Sequence, residues 1–345
     1  MNNQGFDFKK KYILAASEGH LYLTLLPTEK CNFRCTYCYE DFEIGKMSED
    51  TVEGIKNLLT KAAPTLKNLM ISWFGGEPTL NQKAIIDICS HIQQLRDEYE
   101  FTYISHMTTN AYLLDYKMFS TFVPLGVKDY QITLDGDQAC HDTTRVQING
   151  KGSFEQIWSN LKSYQQLDAD FTVMLRLHIT EQNSESMLAL CRKIKSEFGA
   201  DKRYTCTIEK INYLGDGVET SDASRYIAKN AKERVDQIKD LMSDTLDDRV
   251  KNVDGGNAYI CYAAMPRQLL IRADGTIGKC TVMLNDERNK LGKIDRNGDF
   301  ALDGEKMEIW TRGFISLDEK ELSCPAQAYP TRPAYTSDIA VVEVS

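Results

Sequence analysis

Leu21-Tyr22-Leu23-Thr24-Leu25-Leu26-Pro27-Thr28-Glu29-Lys30-Cys31-Asn32-Phe33-Arg34-Cys35-Thr36-Tyr37-Cys38 is the stretch on which the fold turns. Its first six residues form a short apolar strand that Pro27 ends, since proline cannot donate to a sheet ladder. The loop that follows carries Cys31, Cys35 and Cys38 within eight residues. A strand that opens directly onto a chemically loaded loop is how parallel α/β folds build their sites.

The pattern recurs downstream. Leu69 to Phe74 reads as a strand stopped by Gly75-Gly76, Phe101 to Met107 as one followed by Thr108-Thr109-Asn110, and Tyr130 to Leu134 as one closed by Asp135-Gly136. Phe171 to Ile179 and Tyr204 to Ile211 complete the strands. Between them, Ser48 to Ala62, Lys83 to Tyr99, Leu113 to Phe122, Phe154 to Leu167 and Ser184 to Phe198 have helical spacing, with Ser48 placed as an N-cap. About six β/α units predict a parallel sheet with helices outside, curled into a partial (β/α)6 TIM-like barrel. The expected division is an N-terminal extension over 1–20, the barrel over 21–250 and a smaller unit over 251–345. A polar helix over Asp222 to Val250 and a turn at Asp254-Gly255-Gly256-Asn257 mark that boundary.

Composition narrows the function. The chain has 345 residues, 42% hydrophobic, and a formal net charge of −9. With an isoelectric point near 5.2, it would repel phosphate backbones, which argues against nucleic acid as a partner. No apolar run is long enough to span a bilayer, and Met1 to Lys11 lacks the apolar core of a signal peptide. A cytoplasmic protein is expected. Its ten cysteines should then be thiols or metal ligands rather than disulfides. Cys89, Cys191 and Cys206 read as core residues and Cys140 as ambiguous. The five histidines show no ligand spacing.

Three thiolates on one loop can hold a [4Fe–4S] cubane but leave one of its four irons open to a small molecule. The amino and carboxylate groups of S-adenosylmethionine (SAM) could chelate there. One electron would then cleave the sulfonium and give a 5′-deoxyadenosyl radical. Structural zinc would want four ligands, and none of the other Cys or His residues lies near this loop.

With those residues in view, Thr28 to Tyr39 resembles the signature of the radical SAM superfamily. The resemblance runs from about residue 20 to 325. It implies that Tyr37 packs beside the adenine and that Gly75-Gly76-Glu77-Pro78 contacts the methionine amino group. It also implies that Thr133, with Asp135 beside it, meets the ribose, and that Arg145 pairs with the methionine carboxylate. Thr108 and Asn110 would line the same cleft.

Cys261, Gly275 and Cys280 resemble the start of the SPASM auxiliary module of peptide-modifying members, and Cys324-Pro325 the opening of its last cysteine cluster. The pattern then breaks, because Ala326 to Ser345 contains no cysteine. Two auxiliary cubanes are excluded for this chain alone. One auxiliary cluster on Cys261, Cys280 and Cys324 plus an outside ligand, or none, both stay open.

The resemblance implies a maturase acting on a precursor peptide and installing a thioether, a carbon–carbon link or a similar modification. It implies an electron donor such as flavodoxin or ferredoxin. A separate leader-binding protein, or direct recognition of the peptide by the barrel rim, is expected, because only about twenty residues precede the first strand. The alternative is a sulfatase-maturating, formylglycine-forming enzyme. In that branch a catalytic aspartate follows the cysteine occupied here by Cys280, and this chain has Thr281. A different class, a non-catalytic iron–sulfur binding protein, would have no use for a nucleoside cleft.

Overall fold

A computed structural model describes residues 12–13, 15–180, 183–210, 232–245 and 259–328. Six parallel strands form its core: β1 (His20–Leu25), β2 (Asn68–Trp73), β3 (Thr102–Thr109), β4 (Val127–Leu134), β5 (Thr172–Ile179) and β6 (Tyr204–Lys210). The helices between them are α1 (Glu49–Ala62), α2 (Gln82–Glu98), α3 (Tyr116–Phe122), α4 (Gln138–Thr144), α5 (Phe154–Tyr164) and α6 (Ser184–Phe198). This is the α/β arrangement expected from the strand spacing. Ser48 caps α1 by accepting a hydrogen bond from the Thr51 amide.

Capping sets two helices differently from the expectation. The third helix starts at Tyr116 rather than Leu113, because Asp115 accepts from the Met118 amide and fixes the first turn there. The seven-residue α4 is also set by a cap, Asp137. It is too short to show a helical period and has no counterpart in the sequence reading.

Strand alternation sorts the side chains. In β5, Val173, Leu175, Leu177 and Ile179 are buried on one face, while Thr172, Met174, Arg176 and His178 take the other. The apolar face joins Leu23, Leu25, Ile71, Trp73, Ile132 and Leu134 in one continuous core. Register sets the opposite face: Thr108 lies beside Gln131 and Thr133 beside Arg176. Polar groups from β3, β4 and β5 therefore meet at the carboxyl ends of the strands, the usual location of a site in such folds.

The C-terminal part joins the same sheet. β7 (Gln268–Ile271) pairs parallel with β1, and β8 (Thr276–Gly278) and β9 (Gly292–Lys293) follow antiparallel. The sheet order is β6-β5-β4-β3-β2-β1-β7-β8-β9. A helix, α7 (Lys232–Leu241), precedes this part, and short helices α8 (Gly304–Thr311), α9 (Gly313–Ser316), α10 (Glu319–Ser323) and α11 (Pro325–Ala328) close this end. Most of the predicted polar helix over 222–250, the 254–257 turn and the tail beyond 328 lie outside the described residues. Among those described, no helix is long and apolar enough to cross a membrane.

Candidate active site

The cysteine loop is held from several sides. The Phe33 amide donates to Cys31 Sγ at 3.3 Å, and Asn110 Nδ2 approaches the same sulfur at 3.9 Å. Backbone bonds from Arg34 to Val146 and from Thr36 to Thr144 tie the loop to the end of α4 and the residues just after it. Arg34 donates back to the carbonyls of Cys31 and Phe33 and lies over the Phe42 ring. At the loop's two ends, Glu29 forms a buried bidentate pair with Arg272, and Asp41 accepts from Asn285.

Gly75 and Gly76 let the next strand end come close. A Cβ on Gly76 would sit 2.5 Å from the Lys30 carbonyl oxygen and 2.7 Å from that of Glu29. We expect Gly76→Ala to push the cysteine loop aside at a cost of roughly 1–3 kcal/mol. Iron content after anaerobic reconstitution should fall by more than half; an unchanged content would show that the loop tolerates the methyl.

Burial pushes the Cys31 and Cys38 thiols up to about 12, with Glu77 and Glu40 respectively adding to the effect. Cys35 is raised by burial too, against the pull of Arg145. Iron reverses this preference, because a bound cation holds the thiolate form. Among the described residues no three His, Cys, Asp or Glu side chains converge on a single ion. A cubane does not require that, since each thiolate caps a different iron.

The cysteines open onto a cavity of about 170 Å³ also lined by Phe33, Tyr37, Tyr39, Glu40, Gly75, Gly76, Thr108, Asn110, Gln131, Thr133, Arg145 and Arg176. Tyr37 donates its hydroxyl to Asp135 and accepts from Arg145 Nη1 at 2.7 Å. Thr144 also donates to Asp135, at 2.7 Å. His178 Nδ1 lies 3.3 Å from the Tyr37 hydroxyl, and burial beside Arg176 and Arg145 keeps its imidazole neutral. Three buried polar atoms on this wall have no partner: Arg145 Nε, Arg176 Nε and Glu40 Oε2. Burial, reinforced by Glu29, Asp41 and Glu77 and only partly offset by Arg272, pushes the Glu40 carboxyl up to about 8.

Of the residues singled out from sequence, Glu77, Pro78 and Asp135 stand behind the cavity wall. The Glu77 carboxylate is fully buried and accepts from the Thr79 amide and hydroxyl, the Thr109 hydroxyl and the Asn110 amide. It staples the Gly-Gly turn to the end of β3. Pro78 opens a short 3-10 turn. Asp135 acts on Tyr37 rather than on the open space. Arg176, His178, Tyr39 and Glu40 were missed. The alternation of Arg176 and His178 against apolar partners in β5 was the available signal for the first two.

The C-terminal cysteines form a second group. Cys261, Cys280 and Cys324 lie close enough to feel one another's charge. Asn289 Oδ1 accepts from the Lys279 and Cys280 amides. Lys279 is fully buried, donating to the Met265 and Gln268 carbonyls, and burial pulls its amine down to about 7. The Tyr39 hydroxyl bonds to Thr281, and Thr281 to Tyr262. That hydroxyl chain joins the two cysteine groups.

Residues 25–194 match the model of the Radical SAM superfamily. The chain belongs to the radical SAM superfamily. A cysteine-type anaerobic sulfatase-maturating enzyme of Clostridium novyi (strain NT) is 24% identical over 78% of this chain and 75% of its own length. A GTP 3′,8-cyclase of Microcystis aeruginosa is 26% identical, but the match spans 49% of this chain and about half, 52%, of the cyclase. Among solved structures, anSMEcpe with bound AdoMet and the Cp18Cys peptide superposes with a TM-score of 0.63 at 16% identity, over 88% of this chain and 84% of that one. SuiB of Streptococcus suis gives 0.58 at 14% identity, over 94% and 79%.

The cofactors of this radical SAM protein are a [4Fe–4S] cluster and SAM. The residues present fit them: three thiols on one loop, a glycine turn that any Cβ would obstruct, and two unpartnered guanidinium nitrogens in the same cavity. Cys31, Cys35 and Cys38 would hold the iron, and Arg145 and Arg176 would meet a carboxylate. When bound, the pair supplies a carbon radical able to take hydrogen from an unactivated C–H bond.

Proposed function

We propose that this radical SAM enzyme takes hydrogen from a peptide and installs a post-translational modification such as a thioether or carbon–carbon link, working in the cytoplasm with an external electron donor. The observation that carries this reading is the reach of the likeness. The match to the sulfatase-maturating enzyme extends over 78% of the chain, well beyond the superfamily core, whereas the match to the cyclase covers 49%. SuiB and anSMEcpe, which share the fold, have been solved with the precursor peptide SuiA and the Cp18Cys peptide respectively.

The chain's own residues have definable tasks. The Tyr37–Asp135–Arg145 network fixes one wall, the Gly75-Gly76 turn admits close approach, and Tyr39 with Thr281 forms the side toward the C-terminal cysteines. Sulfatase maturation is the second reading, favoured by the same Clostridium relative. Thr281 weighs against it, because a hydroxyl is a poor base where that branch has an aspartate.

The test is anaerobic reconstitution with iron and sulfide, then SAM, a reductant and candidate peptides. Peptide-dependent 5′-deoxyadenosine with loss of hydrogen from the peptide supports the proposal. An aldehyde product trapped by a hydrazide would favour sulfatase maturation, and turnover only with a nucleotide would overturn both. Arg176→Ala should raise the SAM concentration for half-maximal cleavage about tenfold, the usual loss for a charge-assisted pair. No change would remove Arg176 from SAM binding.

A further inference from the structure

Glu40 lines the cavity, and its buried Oε2 accepts no hydrogen bond. Its acidic neighbours are engaged: Glu29 with Arg272, Asp41 with Asn285 and the Glu43 amide, and Glu77 with its four donors. The nearby cations are engaged as well. Arg272 holds Glu29 and the Leu284 carbonyl, Lys30 the carbonyls of Phe42 and Glu43, and Arg34 those of Cys31 and Phe33. Arg145 is held by the Tyr37 hydroxyl of the same loop, and among the described residues no ion pair joins Arg145 or Arg176 to Glu40. The cavity therefore holds two guanidinium groups matched to a carboxylate and, beside them, one carboxyl oxygen without a donor. An unpaired buried carboxyl is costly, and a nitrogen cation or strong N–H donor relieves it.

We propose that Glu40 reads a cationic side chain, lysine or arginine, of the peptide substrate next to the carbon that reacts. This rests on the peptide reading above and names the substrate class. The net charge of −9 draws such peptides toward the protein. SAM also carries an amino group, but its expected place is on the open iron, which leaves Glu40 for the substrate.

The experiment uses the reconstituted full chain with SAM, immobilised without oxygen and exposed to a pool of randomised N-acetylated, C-amidated dodecapeptides. Retained peptides are sequenced. Wild type should enrich Lys and Arg about tenfold at one position. Glu40→Gln should lower that below about twofold, Glu40→Asp should keep a preference, and Glu40→Lys should turn it toward Asp and Glu. The Asp and Lys variants guard against a glutamine variant that merely misfolds. Retention without basic enrichment, or an unchanged profile in Glu40→Gln, overturns the assignment and leaves the peptide reading standing. Loss of SAM affinity in Glu40→Gln with an unchanged profile gives the carboxylate to the SAM amine and likewise overturns it. If wild type retains no peptide, the peptide reading fails and this assignment fails with it.

Discussion

Replacing Cys31, Cys35 or Cys38 by alanine is expected to abolish 5′-deoxyadenosine formation. Each thiolate caps a separate iron, so losing one leaves two open irons and a cluster free to dissociate. The fold offers no substitute. Cys89, Cys191 and Cys206 are fully buried in the core, Cys140 sits on α4 bonded to Ser186, and the remaining cysteine group lies at the C-terminal end. Iron should fall by about four per chain relative to wild type. SAM cleavage should fall below detection. Cys191→Ala, which only removes a buried sulfur, is the control and should keep both. A Cys35→Ala protein that still bound those irons and cleaved SAM would refute the assignment of this loop.

The second large effect concerns stability. Glu29 and Arg272 form a bidentate pair that is almost wholly buried, and Arg272 also donates to the Leu284 carbonyl. Arg272→Met strands the Glu29 carboxylate in the interior, which typically costs about 3–5 kcal/mol. A Glu29→Met, Arg272→Met double variant removes both charges and should recover most of that loss. Urea unfolding of the metal-free protein measures both. A single variant losing less than about 1 kcal/mol would show that water reaches the pair. The single variant should also load iron poorly, because Glu29 lies two residues before Cys31.

Much of this was readable from the chain alone, for identifiable reasons. The cysteine loop, the Gly-Gly turn and the six strands announce themselves through local spacing, and local spacing is what a sequence records. Glu77 shows the limit. Its place in a glycine motif suggested contact with a ligand, but its partners, Thr109 and the Asn110 amide, come from another strand and turn the carboxylate inward. Glu40 and Arg176 were invisible for the same reason. Nothing in their neighbours along the chain says which cavity they reach; only the curl of the sheet decides that. Helices α8 and α10 escaped because capping by Asp303 and Asp318, rather than periodicity, defines them.

The pairing of β1 with β7 carries a consequence for biogenesis. Tyr22 must find Gln268, so β1 keeps one edge bare until about 245 further residues have been made and β7 has left the ribosome. The entropy of closing so long a loop grows only slowly with length, which makes the delay a matter of timing rather than of final stability. During that interval the exposed edge of β1 is a template for strands of other nascent molecules. A stop codon before residue 268 should therefore give inclusion bodies rather than a trimmed barrel.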